Sequence, residues 1–201
     1  MKIISVILAT GFFLIESISM VSAEAMKGKW IKPDTQAQKI YDQMTESLYG
    51  GWKLSPEEKQ IDTTGAHKSV AELLGVDKSV TSYKIIGKGT TLQENLLTGT
   101  KKGMVTMYHC DRRTTCKTLL ATHYCAKRNQ PRFILNLKDT TPTRFIFDCD
   151  MSTSLCQSDE DHIHRIKLEL SENGKHLKSS YLGMRDQKWR KKNSIFHFDK
   201  R

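Results

Sequence analysis

The chain has 201 residues, 32 Lys and Arg against 22 Asp and Glu, and a formal net charge of +10. That length suits one domain with a real hydrophobic core. The charge favours anionic surfaces, but Lys and Arg are spread along the chain rather than gathered into a nucleic-acid-binding patch, so nucleic acid is not an expected partner.

Residues 1–23 read as a cleavable signal peptide. Lys2 supplies a positive start, and the apolar run Ile3–Ile15 is too short to span a bilayer, which takes about 20 residues. Val21-Ser22-Ala23 places small residues at a cleavage site, with the cut after Ala23 or Ala25. No later apolar run is long enough to span, so the mature protein is expected to carry no transmembrane segment and to be exported, to the periplasm or beyond.

Residues 24–49 form a leader and a short helix. Ile40, Tyr41, Met44 and Leu48 make a helical stripe that Gly50-Gly51 ends. Trp52-Lys53-Leu54 reads as a first strand. Ser55-Pro56-Glu57-Glu58 is a helix-start signal, and Val70–Leu74 a second short helical piece.

From Val80 the pattern changes to short β-branched or alternating runs: 81–87, 91–97, 104–110, 116–124, 132–137, 144–149, 162–170, 176–183 and 193–198. Turn chemistry such as Glu172-Asn173-Gly174 and Arg185-Asp186-Gln187 separates them. Adjacent antiparallel strands with no crossover helices predict a mainly β fold. The expectation is an up-and-down barrel of about 8–10 strands over residues 50–201, which removes exposed edges and can enclose a small ligand.

Five cysteines lie beyond the signal segment. Cys110 and Cys116 flank a polar hairpin-like tip, and Cys149 and Cys156 close a second short segment, so these are the predicted disulfides, with Cys125 left over.

Three strings stand out together: Met104–His109; His123-Tyr124-Cys125 with Asn129-Gln130-Pro131-Arg132; and His162-Ile163-His164-Arg165. In that order they resemble an uncharacterised bacterial family of lipocalin-like barrel domains, and Gly50-Gly51-Trp52 is similar to the G-x-W opening of the wider lipocalin and calycin group. The resemblance implies a barrel and a cavity but no reaction.

Strand alternation puts His162 and His164 on one face, in phase with Ile166, Leu168 and Leu170, which predicts that both look into the barrel unless a bulge intervenes. The same counting leans towards His109 inside and leaves the strand of His123 undecided. Candidate ligand-binding residues are His109, His123, Tyr124, Asn129, Gln130, Arg132, His162 and His164. Three readings stay open for the imidazoles: contact with an organic ligand, coordination of a metal or haem, or hydrogen bonding within a polar cavity floor. Arg132 beside the rigid Pro131 turn suits a carboxylate or phosphate clamp. Cys125 beside His123 lacks a third orienting group, and no G-x-S-x-G, Walker or H-E-x-x-H string occurs, so no catalytic residue is assigned and no cofactor is specified. The expected function is non-enzymatic binding of a small, partly apolar and possibly anionic ligand. A metal- or haem-dependent barrel and an envelope or host-facing protein with a basic surface are the alternatives.

Overall fold

The protein is described here as a computed structural model covering residues 33–56 and 72–201. The expected signal peptide, nearly all of the expected leader, and the helix-start signal at Glu57-Glu58 lie outside the described residues. So do Val70 and Ala71; the rest of that piece, Glu72-Leu73-Leu74, lies with Gly75 in a turn rather than a helix.

Helix α1 runs Gln36–Leu48. It starts at Thr35, whose Oγ1 accepts a hydrogen bond from the Gln38 amide at 3.1 Å and so satisfies one of the free donors of the first turn. It stops at Gly50, whose φ of +109° suits a residue without Cβ. Its stripe of Ala37, Tyr41, Met44 and Leu48 is buried.

The strands are β1 (Gly50–Leu54), β2 (Thr81–Ile86), β3 (Thr91–Leu96), β4 (Met104–Cys110), β5 (Leu119–Tyr124), β6 (Arg132–Leu135), β7 (Arg144–Cys149), β8 (His162–Ser171), β9 (His176–Arg185), β10 (Lys188–Trp189) and β11 (Ser194–Lys200). A one-turn helix, α2 (Ser154–Gln157), interrupts the passage from β7 to β8. Every pairing is antiparallel, and consecutive strands are neighbours from β1 to β9. β11 pairs with both β9 and β1, which closes a ten-strand barrel. β10 and β11 lie along the same edge of β9 as one interrupted strand. The break at 190–193 is held by Gly183, whose carbonyl accepts from the Arg190 amide at 2.9 Å and whose own amide donates to Asn193 Oδ1 at 2.9 Å.

Helix α1 closes one end. Trp52 Nε1 donates to the Leu48 carbonyl at 2.8 Å, Tyr41 Oη to Gly89 at 3.2 Å, Gln43 Nε2 to Pro142 at 2.9 Å and Lys200 Nζ to Ser47 at 2.9 Å. The helix is thus tied to four separate stretches of the barrel rim. Residues 97–103, 125–131, 150–161 and the 185–188 turn lie at the opposite end, the mouth.

The described cysteines pair as expected: Cys110 with Cys116 and Cys149 with Cys156, leaving Cys125 free and half-buried.

Candidate functional site

The inward phase of the strands is mostly apolar and aromatic: Trp52, Tyr83, Tyr108, Phe133, Phe145, Phe147, Tyr181 and Phe198 are all fully buried. Into it the register sets a polar row. Tyr83, Glu94, Thr106 and His123 are direct cross-strand partners on β2, β3, β4 and β5, so all four project into the lumen at one level. Glu94 shares its strand phase with Leu92 and Leu96, which is why its carboxylate points inward.

A carboxylate taken from water needs hydrogen-bond partners. Three phenols provide them. Tyr83 donates to Oε1 at 2.7 Å, Tyr181 to Oε1 at 2.5 Å and Tyr108 to Oε2 at 2.9 Å. Burial, reinforced by the Glu94 carboxylate, pushes all three phenols well above their ordinary range, so they remain donors at any physiological pH. No Lys or Arg is among the buried residues of the described chain.

His123 completes the row. Its Nδ1 lies 2.9 Å from Thr106 Oγ1, and its ring packs 5.5 Å from Tyr181. Burial lowers its pKa to about 4, so the ring is neutral near pH 7. Nε2 is buried without a partner. Whichever tautomer Thr106 selects, Nε2 is left as an unmatched acceptor or donor, a situation costing about 1–3 kcal/mol. Thr81 Oγ1, one pleat nearer the mouth on β2, is likewise buried without a partner.

At the mouth, Gly183 takes the inward phase two residues beyond Tyr181. A Cβ there would stand 2.5 Å from Arg190 Cδ, so the absent side chain lets Arg190 pack against the Gly183 backbone at the mouth. The Arg190 guanidinium approaches Asp161 Oδ1 at 3.5 Å, while Lys127 and Arg185 hold Oδ2 at 2.5 and 2.7 Å. Burial pushes the Asp161 carboxyl upward, but the hydrogen bonds from Lys127 and Arg185 outweigh it and leave the pKa lowered. Beside this cluster, Trp189 is half exposed, with His164 edge-on at 5.3 Å and the Arg165 guanidinium 5.9 Å above its ring.

The predicted site residues divide between these places. His123 is in the lumen. Asn129, His162 and His164 come together at the mouth: Asn129 Nδ2 donates to Glu160 Oε1 at 2.7 Å and to the Asp161 carbonyl at 3.1 Å. His162 Nδ1 contacts the Glu160 carbonyl at 2.7 Å and its Nε2 meets His164 Nδ1 at 2.9 Å. The expectation that His162 and His164 look inward in phase with Ile166 is corrected. A bulge between Ile163 and Arg165 adds one residue, so His162 pairs with Met184 on the outward phase while Ile166 and Leu168 stay inside. His109 also faces outward, with Val105 and Met107, because Thr106 and Tyr108 take the lumen side; its Nδ1 lies 2.8 Å from the Cys110 carbonyl. Tyr124, Gln130 and Arg132 are exposed, and Arg132 stands on the outer phase of β6, away from the lumen.

The sequence reading missed Glu94 and its three tyrosines. The signal was a carboxylate at the apolar phase of Leu92-Gln93-Glu94-Asn95-Leu96. One group of potential metal ligands occurs among the described residues: the donor atoms of Cys149, His162 and His164 lie within 4.8 Å of one another, with the sulfur engaged in its disulfide.

Compared with known proteins, the chain matches no protein-family model and no curated protein. The closed antiparallel barrel is consistent with a lipocalin-like fold.

Proposed function

We propose that this chain is an exported lipocalin-like binding protein that takes a small, partly apolar ligand through the mouth. The ligand's hydrogen-bonding end meets His123 in the barrel, and an acidic group, where present, meets Arg190 at the rim. The observation that carries this reading is the inward polar row, in which His123 Nε2 lies buried and unmatched, one strand beyond Thr106 from Glu94 and packed against Tyr181. Deep polar atoms in an apolar lumen are the usual means of orienting a small molecule. Because Nε2 is shielded from solvent, binding requires the mouth to open, and Arg190, held to Asp161 at 3.5 Å and packed against Gly183, is the rim side chain that would have to move. Two disulfides agree with an oxidising compartment.

Native mass spectrometry of protein recovered from its own compartment tests the reading. A stoichiometric small molecule retained by the wild type and lost from His123→Leu supports it. Bare protein in repeated preparations, or retention unchanged in that variant, rejects it.

A second reading, contact with anionic surfaces, draws on the placement of the described cations outside the core and on the tip clamped by Cys110–Cys116, where Arg112 and Arg113 are exposed. It predicts binding to anionic vesicles that weakens with salt. Equal binding to neutral vesicles removes it.

A further inference from the structure

The mouth contains chemistry that the proposed ligand site does not use. Cys149 ends β7, and His162 and His164 open the neighbouring β8. His162 Nδ1 lies against the Glu160 carbonyl at 2.7 Å, which sets that nitrogen as the donor and leaves Nε2 with its lone pair. That Nε2 is 2.9 Å from His164 Nδ1, and the Cys149 sulfur completes a trio within 4.8 Å. Trp189, edge-on to His164 at 5.3 Å, braces the second ring.

One sulfur and two imidazole nitrogens are the donor set of zinc and cobalt(II) sites. Bonds of about 2.3 Å to sulfur and 2.0–2.1 Å to nitrogen in a tetrahedral arrangement place donor atoms about 3.3–3.6 Å apart. The present separations bracket that range, so small side-chain rotations suffice. The backbone carbonyl behind His162 is the kind of outer partner that fixes a ligating imidazole. What keeps the set from closing on a metal is the Cys149–Cys156 bond, since a disulfide sulfur is not a thiolate.

We propose that reduction of the Cys149–Cys156 disulfide converts this end of the barrel into a divalent-metal site formed by Cys149 Sγ, His162 Nε2 and His164 Nδ1. A dithiol supplies two electrons and two protons to the sulfur–sulfur bond and becomes a disulfide itself. Metal binding then expels the Cys149 thiol proton, and the His164 ring moves its proton from Nδ1 to Nε2. The fourth position is open to Cys156 or water. In an oxidising compartment the site is closed; reducing conditions arm it.

The probe is cobalt(II), titrated into the full chain in a Cys125→Ser background and read by the sulfur-to-cobalt charge-transfer absorption. The oxidised protein is expected to show no such band. The reduced protein shows it, and Cys156→Ser, which frees Cys149 without any reductant, shows it in both states. Cys149→Ser abolishes it even after reduction, and His162→Ala weakens binding by at least about tenfold. A band that persists in reduced Cys149→Ser, that fails to form in the reduced parent protein, or that is equally strong before reduction overturns the proposal. Far-ultraviolet circular dichroism accompanies each titration, and the reduced parent protein provides the deciding arm if Cys156→Ser does not fold.

Discussion

Glu94 on β3 and Tyr181 on β9 meet at 2.5 Å across the lumen, although β2, β1 and β11 separate their strands in the sheet. Such a contact links opposite walls of the barrel and makes the carboxylate the acceptor for three phenols.

Removing one donor is expected to cost less than removing the acceptor. Tyr181→Phe loses one hydrogen bond to a carboxyl group, worth about 1.5–3 kcal/mol if charged. Glu94→Ala removes the shared acceptor of three buried phenols and should cost more than any single Tyr→Phe change. Urea unfolding measures both; a Glu94→Ala loss no larger than that of Tyr181→Phe contradicts the network.

Stability should fall with acid through His123. Its folded pKa of about 4 lies below the unfolded value near 6.5, so the unfolded chain binds the extra proton between those limits. The stabilisation is complete above about pH 6.5 and decreases as pH drops towards 4, by an amount on the order of 3 kcal/mol. His123→Gln should flatten that part of the pH–stability curve. Parallel curves for the two proteins would assign the acid sensitivity elsewhere.

Alkylation of the unfolded but unreduced protein should label Cys125 alone. Both bridges close short loops, so replacing either pair by serine is expected to cost about 2–3 kcal/mol. Peptide mapping reads the first outcome and thermal melts the second. Labelling at Cys110 or Cys149 before reduction would refute the pairing.

Trp52 ties β1 to the end of α1 through the Leu48 carbonyl at 2.8 Å, and Lys200 lies 5.4 Å above its ring. Trp52→Phe keeps an aromatic ring but orphans that contact, for an expected loss of about 1 kcal/mol. Trp52→Ala should lose about 3–5 kcal/mol through the cavity it opens. Near-equal losses would show that the hydrogen bond, not the packing of the ring, dominates there.

The strand runs were legible because each carries its own alternation and is bounded by turn residues. Met104–Cys110 and Arg144–Cys149 match the observed limits, and others differ mainly in their ends. Short stretches dominated by local hydrogen bonding were not: α2 carries Cys156 and has no apolar periodicity, and β10 is only two residues long. Side-chain direction was readable only where alternation runs unbroken. For His162 and His164 a single inserted residue reversed the phase, and no propensity in His-Ile-His-Arg announces it.

By itself the sequence determined the antiparallel strand series, the N-terminal helix and the two cysteine pairs, all of which depend on residues close together in the chain. Only the tertiary structure decided that Glu94, Tyr83, Tyr108 and Tyr181 share one hydrogen-bonded centre, and that Asn129, His162 and His164 gather at the mouth instead of in the lumen. The reason is barrel closure: register and bulges set which distant residues face one another, and those depend on how all the strands pair at once.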